Sequence, residues 1–341
     1  MNTGLGRRPS GRGRLLRRLL VGATTVAVAM ACVANLSVGN VAPASTGPGG
    51  AIPTIAAGSA GRATSSPSSQ PTPTFHGPTA PPATELLTVP ILYYHRIAAP
   101  PSSYPSWSAA RKAQWLTYDV LPTAFAAQLD WLQQHGYTTI LPRDLAAHWD
   151  SGAPLPTLPV IITFDDGSRD WISTVLPMLK IRGMVAEFYL TLDAIKNGNV
   201  TWAGMRRLVD AGNGVGAHDV HHVQLAGLDG GHGSKPEATM WSEVYGARLT
   251  IGRNVGVFPD SMAYVGGGYN DTLMKLVQDA GYSSARSINR GIEQRATSRY
   301  RMHIVRIGAH DDVTNLLKGT LAAGLPTFTV RMSGVSDKAP D

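Results

Sequence analysis

Two adjacent carboxylates, Asp165 and Asp166, directly follow an apolar, β-branched run at residues 160–164. Such a run predicts a buried strand. Neighbouring carboxylates resist ionising together unless a cation lies beside them or the two have different roles in a reaction. Further along the chain, His218 and His222 place two imidazoles four residues apart. Together with Asp166 they would form a two-histidine, one-carboxylate metal site with open positions. Asp165 would then be left free as a general base.

Each of these groups also has an ordinary structural interpretation. Asp and Gly favour turns and helix caps, so the Asp-Asp-Gly run at residues 165–167 could simply end a strand. The histidines could be surface residues in a cluster of three. His221 lies three residues after His218 and competes with His222 for the second imidazole position, and spacing alone leaves that choice open.

These motifs resemble the polysaccharide deacetylases of the NodB-homology type, the carbohydrate esterase 4 group. The resemblance rests on TFDDG at residues 163–167, followed by His-x-x-x-His at residues 218–222. VPILYYHRI at residues 89–97 also contributes, and the similarity extends from about residue 87 to about residue 325. The arrangement is closest to the branch that acts on poly-N-acetylglucosamine. It implies a divalent metal cofactor, zinc in the first place, with Co²⁺ or Ni²⁺ as alternatives.

The resemblance also implies a role for each site residue. It selects His222 as the second imidazole ligand and assigns Asp165 as the catalytic base. The family needs a histidine opposite the base as general acid. His95 ends the first predicted strand and fits that role with the strand order permuted, while His303 and His310 are its competitors.

Two stretches depart from the family pattern. Asp219 replaces the usual Ser or Thr, and it could orient a histidine ligand or add a fourth ligand. The third motif reads YVGGGYN at residues 264–270, without the usual proline. Tyr264 and Gly266 are candidates for contact with substrate or oxyanion, with a flexible turn as the alternative for the glycines. Arg306 is a candidate partner of the base, with a structural ion pair as the alternative.

Strands that alternate with helices must position these groups. Such alternation implies a parallel sheet with right-handed crossovers. Seven to eight βα units predict an α/β fold, a (β/α) barrel that is incomplete or distorted. The candidate groups follow strand ends, where a barrel places its chemistry. The predicted strands lie at residues 87–94, 138–141, 160–164, 185–190, 214–217, 262–265, 283–287 and 304–307, and the last predicted helix at 313–322.

The segment at residues 100–117 has the composition of a loop on the substrate side. Its two tryptophans, Trp107 and Trp115, are the best candidates in the chain for stacking on sugar rings. Most buried tryptophans are simply part of a core, so this interpretation competes with an ordinary one.

The N-terminal segment differs from the rest in composition. Residues 1–36 hold six arginines and no acidic residue, which leaves only +1 of the net charge of +7 for the remainder. The basic balance is therefore no argument for nucleic-acid binding. An apolar run at residues 19–38 follows these arginines and predicts a secretory signal or an anchor. Cys32 is the only cysteine, so the outer domain can form neither a disulfide nor a Cys-ligated zinc site.

Composition also divides the chain into segments. A stretch dense in Pro, Ser, Thr, Ala and Gly lacks the large apolar residues needed to offset chain entropy. The predicted organisation is a signal peptide or membrane anchor at 1–39, a disordered linker at 40–84, a catalytic domain at 85–333 and a flexible tail at 334–341.

The resemblance and these residues together imply a metal-dependent hydrolase outside the cytoplasmic membrane. Its expected partner is an N-acetylated glycan: poly-N-acetylglucosamine, peptidoglycan or a chitin-like polymer. No nucleic acid is expected, and membrane contact only through the N-terminal segment. An O-acetyl esterase is one alternative, because the tetrahedral chemistry is shared. A catalytically weak glycan-binding module is the other, because the third motif is altered.

Overall fold

The structure is a computed structural model that describes residues 79–227, 233–311, 313 and 317. Its strands are β1 Leu87–Thr88, β2 Ile91–Tyr94, β3 Arg96–Ile97, β4 Asp119–Val120, β5 Thr138–Thr139, β6 Pro159–Asp166, β7 Glu187–Leu190, β8 Gly214–Ala217, β9 Ser261–Ala263, β10 Ser284–Arg290, β11 Glu293–Gln294 and β12 Met302–Arg306. Its helices are α1 Ala109–Tyr118, α2 Pro122–Gln134, α3 Pro142–Ser151, α4 Leu176–Lys180, α5 Leu192–Lys196, α6 Trp202–Asp210, α7 Glu237–Val255 and α8 Asp271–Asp279.

Seven parallel strands form a closed ring at the centre of the fold. Their order is β2, β12, β10, β9, β8, β7 and β6, and the ring closes because β2 also pairs with β6. The short strand β5 pairs in parallel with the first two residues of β6. The predicted α/β barrel is thus confirmed, and it is a closed barrel of seven strands.

Side-chain alternation along the strands separates two apolar clusters. On β2 and β6, Leu92 and Ile162 belong to the larger cluster, which includes the apolar faces of α2, α6, α7 and α8. Their neighbours Ile91 and Ile161 belong to the smaller one, with residues of α3. Because successive side chains of a strand point to opposite faces, one set covers the barrel and the other fills it.

Polar side chains occupy part of the barrel interior. Glu187 and Tyr189 on β7 are buried, and the neighbouring strand β8 carries glycine at positions 214 and 216. A Cβ atom on Gly216 would collide with the ring of Tyr189, and one on Gly214 would collide with the carboxylate of Glu187. The glycines of β8 therefore make room for these two large side chains.

The strand register brings the predicted site residues to one end of the barrel. Asp166 pairs with Leu190, and Leu190 pairs with Ala217. His218 is the next residue after Ala217, so it lies beyond the same strand ends as Asp166. Parallel strands share their carboxyl ends, which explains why residues distant in sequence meet here.

Several sequence predictions are confirmed and others are wrong. The strands predicted at residues 160–164, 214–217 and 283–287 correspond to β6, β8 and β10. The second half of the segment at residues 100–117 belongs to the helix α1 rather than to a loop, and α3 was not predicted. The predicted strand at residues 87–94 is two strands, because β1 pairs with β11 instead of joining the barrel.

Some predictions fall outside the described residues. These are the leader, nearly all of the linker, most of the last predicted helix and the tail. Within the residues that the structure describes, no helix has both the length and the apolar character needed to cross a membrane.

Candidate active site

Asp166, His218 and His222 form the one group that could hold a metal ion in the described part of the chain. Each offers one ligand atom, and these atoms all lie within 4.8 Å of one another. Oδ1 of Asp166 is 3.0 Å from Nε2 of His222 and 3.4 Å from Nε2 of His218. The His218 side chain is buried, whereas the other two are about half exposed, so the group opens toward solvent on one side.

A backbone carbonyl fixes the orientation of the His218 ring. Nδ1 of His218 lies 2.8 Å from the carbonyl oxygen of Ala263 at the end of β9. A carbonyl oxygen can only accept, so Nδ1 carries the proton that is donated to it. Nε2 therefore faces Asp166, and once a cation displaces its proton this nitrogen offers the lone pair that metal binding requires.

His221 is held away from this group. Its Nδ1 lies 2.7 Å from Oε1 of Glu243 on α7, and its side chain is mostly exposed. Oε2 of the same carboxylate accepts the backbone N–H groups of Val220 and His221, both at 2.9 Å. Glu243 thereby shapes the turn that directs His222, and not His221, toward Asp166.

The backbone around the group is strained. Asp166, Asp219 and His222 have φ angles of 76°, 63° and 52°, and they are the only non-glycine residues with positive φ among those described. Asp and His enter this left-handed region more readily than most residues, yet still at a cost. Strain that is confined to one place, at the residues that converge there, marks that place as a functional site.

The charges of the group stabilise one another. Burial would raise the pKa of Asp166, but hydrogen bonds from His218 and His222 outweigh it and hold that pKa well below its usual range. Burial would lower the pKa of His218, but Asp165 and Asp166 raise it to about 9. The site is therefore built for a positive charge, and a divalent cation fits this set of two nitrogens and one carboxylate.

Asp165 lies beside the metal-binding group but is held from inside the barrel. Arg286 on β10 donates a hydrogen bond from Nη2 to Oδ1 of Asp165, and both side chains are buried. The guanidinium of Arg286 also lies between two rings, 4.5 Å from the centroid of Tyr93 and 4.8 Å from that of Tyr189. Oδ2 of Asp165 lies 3.7 Å from Nε2 of His218. This carboxylate is thus fixed next to the site without belonging to the three ligands.

The predicted pairing of Arg306 with the base is wrong. Arg306 lies on β12 and packs its guanidinium over the rings of Tyr93 and Tyr118, at 5.5 Å and 5.1 Å. It lines the cleft without pairing with Asp165. Arg286, which sequence reasoning missed, pairs with Asp165 in place of Arg306. The available signal was alternation, since Ser284 and Arg286 are polar residues two apart on a buried strand.

His95 is brought into the cleft at the end of β2. Its Nε2 lies 2.8 Å from the hydroxyl oxygen of Tyr93, and its ring meets that of Tyr118 edge-on at 4.6 Å. Burial lowers the pKa of His95 to about 4, although Asp165 acts in the opposite direction. The imidazole is therefore neutral at pH 7 while no substrate is bound.

The two competing histidines lie elsewhere. Nδ1 of His303 is 3.1 Å from the carbonyl oxygen of Glu293. Neither His303 nor His310 lines the cleft that contains the metal-binding group. Of the candidate general acids, the structure brings His95 alone to this cleft.

Two further predicted site residues are not where the sequence suggested. Asp219 is fully buried, and neither of its carboxylate oxygens has a hydrogen-bond partner. It does not orient His218, whose Nδ1 is taken by Ala263, and burial raises the pKa of Asp219 to about 8. The ring of Tyr264 is also buried, and its hydroxyl donates to the carbonyl oxygen of Tyr300 at 2.8 Å.

The third motif contributes backbone to the cleft rather than the tyrosine ring. Gly266 has a φ of 65° and lines the cleft, as predicted. Gly267 follows with a φ of 76°, so two successive residues adopt the left-handed region that glycine favours. The missing proline is thus replaced by a turn that only glycines form without strain.

The cleft has the size and lining of a site for a large polar ligand. Its volume is about 900 Å³. The wall includes Arg96, Gln114, Asn199, Gln224 and Ile288 in addition to the groups described above. Amides and guanidinium groups can hydrogen-bond the hydroxyls and acetamide of a sugar.

Comparisons with known proteins agree on one family. Residues 153–285 match the family model described as polysaccharide deacetylase. YxkH of Bacillus subtilis (strain 168), itself a proposed polysaccharide deacetylase, is 26% identical over 223 residues, which cover 64% of this chain and 71% of that protein.

Solved structures share the fold. The Streptococcus pyogenes deacetylase PplD, in complex with acetate, is 21% identical with a TM-score of 0.61. The match covers 70% of this chain and 100% of that protein. IcaB from Ammonifex degensii is 20% identical with a TM-score of 0.54, and the match covers 68% of this chain and 96% of that protein.

Proposed function

Since the chain carries a polysaccharide deacetylase domain, we propose that it is a metal-dependent hydrolase that removes N-acetyl groups from an N-acetylglucosamine-containing glycan. One observation carries the proposal: Asp166, His218 and His222 converge within 4.8 Å beside a buried carboxylate, in a cleft of about 900 Å³. That arrangement supplies a cation site and a separate base, the two requirements for hydrolysing an amide with water.

The residues present fit a divalent cation, zinc by the chemistry of its donors. A cation held by Asp166, His218 and His222 would polarise the acetamide carbonyl and lower the pKa of a bound water molecule. The hydrogen bond from His218 to Ala263 prepares the ring for this task, because it leaves Nε2 unprotonated once a cation replaces the proton.

Asp165 acts as the base in this proposal. Arg286 holds Oδ1 of this buried carboxylate, while Oδ2 lies 3.7 Å from Nε2 of His218 and faces the metal-binding group, where it can accept a proton from the attacking water. The backbone at Gly266 approaches the cleft closely enough to face the developing oxyanion.

His95 supplies a proton to the leaving nitrogen. Because its pKa is about 4 in the free protein, it must receive that proton during the reaction, from the water by way of Asp165. Tyr93 holds the imidazole by its hydroxyl group, 2.8 Å from Nε2. An amine leaves only when protonated, whereas the alcohol of an ester leaves more easily, so a placed general acid favours an amide substrate.

Two alternatives keep specific support. The same site could hydrolyse O-acetyl esters, because the tetrahedral chemistry is shared. A catalytically weak glycan-binding module is favoured by the altered third motif, in which the ring of Tyr264 is withdrawn from the cleft.

Acetate release distinguishes the three functions. The chain is assayed on N-acetylated and O-acetylated oligomers of equal length, with and without chelator, beside an Asp165→Asn control. Chelator-sensitive release from the N-acetylated oligomer at the higher rate is expected. Faster release from the O-acetylated oligomer would assign the esterase, and binding without release from either would assign the glycan-binding module.

The location outside the cytoplasmic membrane is part of the proposal. It is supported by the arginine-rich start and the apolar run at residues 19–38, which is close to the length that a spanning helix needs. External protease added to intact cells is expected to digest the catalytic domain. A domain that remains protected in the cytosol would contradict this location.

A further inference from the structure

A second cavity adjoins the cleft on the side of α1. Its volume is about 370 Å³, and it shares Arg96 and Gln114 with the cleft that holds the metal-binding group. The rest of its wall is built from Ala98, Ala99, Pro101, the two tryptophans of the α1 region, Arg111 and Asp119. A ligand longer than one sugar can therefore extend from the reacting position into this cavity.

The two arginines of the second cavity differ in their charge balance. Arg96 pairs with the buried carboxylate of Asp119, so its charge is neutralised locally. Arg111 is exposed and makes no ion pair with any carboxylate of the described residues. Its guanidinium lies over the indole ring of Trp107, 3.9 Å from the ring centroid. Stacking orients a guanidinium while leaving its N–H edge free for a forked contact to an anion.

Helix α1 links this guanidinium to the reacting centre. Arg111, Gln114 and Tyr118 recur at a spacing of three and four residues, so they lie along one face of the helix. Tyr118 lies seven residues after Arg111, a rise of about 10 Å along the helix. Tyr118 meets the ring of His95 edge-on, at the catalytic end. This distance exceeds one sugar ring, so Arg111 faces a neighbouring unit rather than the acetylated one.

The cleft itself adds positive charge. Arg169 and Arg306 line it, and neither pairs with a carboxylate among the residues that the structure describes. The carboxylates of the site are already engaged, Asp165 by Arg286 and Asp166 by the two histidines. With a divalent cation bound, the cleft and the second cavity together carry a clear excess of positive charge. Like-signed walls concentrate ligands of opposite charge.

We propose that the second cavity is a subsite for a sugar unit that carries an anionic group, a carboxylate or a phosphate, next to the unit that loses its acetyl group. The stacked Arg111 and Trp107 hold this unit, with the indole against the sugar region and the guanidinium on the anion. This inference rests on the proposed function and narrows it, because it favours an acidic glycan of a wall or capsule over neutral poly-N-acetylglucosamine.

Matched oligomers test the subsite. N-acetylglucosamine tetramers in which one unit carries a C6 carboxylate are compared with the same tetramers as methyl esters, and with tetramers that carry a C6 phosphate. Acetate release is measured with the full chain, its Arg111→Gln variant and an Arg253→Gln control. Arg253 is likewise exposed, but it lies on α7 and lines neither cavity.

A preference of about tenfold in kcat/KM for the free acid over the ester is expected, carried by KM. Arg111→Gln is expected to reduce this ratio to near one, and Arg253→Gln to leave it intact. A higher kcat/KM for the phosphate tetramer than for the carboxylate tetramer would assign the anion as a phosphate. A higher kcat/KM for the carboxylate tetramer would assign it as a carboxylate. Equal use of acid, ester and phosphate, or a preference that survives in Arg111→Gln, would overturn the subsite.

Binding separates this inference from the proposed function. Each oligomer is titrated calorimetrically into the Asp165→Asn chain, with and without Arg111→Gln. If no oligomer releases acetate but the anionic ones still bind more tightly through Arg111, the proposed function fails and the subsite stands. If acetate is released while binding is indifferent to the anion, the subsite fails and the function stands.

Discussion

The pair between Arg286 and Asp165 supports a quantitative prediction about stability. Arg286→Met keeps much of the side-chain volume but removes the guanidinium that pairs with this carboxylate from within the barrel. The Arg286 side chain is 0% exposed and that of Asp165 is 2% exposed, so water cannot replace the lost partner. The variant leaves the buried carboxylate of Asp165 without its guanidinium partner.

The size of the effect follows from burial. Removing one partner of a buried ion pair typically costs about 3–5 kcal/mol, since the remaining charge has no compensation. Asp165→Asn has a related cost because it leaves the guanidinium of Arg286 without its anion. Changing both residues removes both charges. The double variant is therefore expected to be more stable than the sum of the single losses predicts, by about 2 kcal/mol or more.

Denaturant unfolding at pH 7 measures this coupling. The free energy of unfolding is compared for the parent chain, Arg286→Met, Asp165→Asn and the double variant. Arg306→Met serves as the matched control, because Arg306 lies at the same cleft but does not pair with Asp165. Additivity within about 0.5 kcal/mol for Arg286 and Asp165 would refute the reasoning. Coupling of Asp165 to Arg306 instead would restore the pairing that the sequence suggested.

Three further predictions test the site and the barrel. His222→Ala is expected to lose bound metal in elemental analysis and His221→Ala to retain it, and the reverse result would move the ligand by one position. Asp165→Asn is expected to keep its metal and lose about 10²–10⁴-fold in kcat, whereas near-normal turnover would exclude it as the base. Burial raises the pKa of Glu187 from 4.5 to about 7, so its buried charge costs nothing below pH 4.5 and about 3 kcal/mol above pH 7. Glu187→Gln is therefore expected to raise Tm relative to the parent at pH 8 and not at pH 4.5, and an equal difference at both pH values would contradict this.

The sequence predicted the barrel and its reacting end because both leave local signals. The run at residues 160–164 has the apolar, β-branched character of a buried strand, and the carboxylates follow it directly. His218 follows the short strand β8 in the same way. Hydrophobic period and strand-end position are properties of a few neighbouring residues, so they can be read without knowledge of the fold.

Long-range pairings left no comparable signal. Asp165 and Arg286 are brought together by strands on opposite sides of the ring, and no pattern in either segment specifies the other. His221 is held away from Asp166 by Glu243 on α7, a residue with no distinguishing local context. Helix α1 was mistaken for a loop because the Pro- and Ser-rich residues that precede it dominated the composition of that segment.

Closure of the ring through β2 has a consequence for the timing of folding while the chain is being synthesised. Leu92 pairs with Ile162 on one side and with Val305 on the other, about 210 residues later. At a synthesis rate of about 5–20 residues per second, this strand waits about 10–40 s on the ribosome before its second partner exists. During that interval one edge of an apolar strand is available to other chains. His95 directly follows this strand, so its place in the cleft depends on a pairing that forms only when the last strand of the barrel has been made.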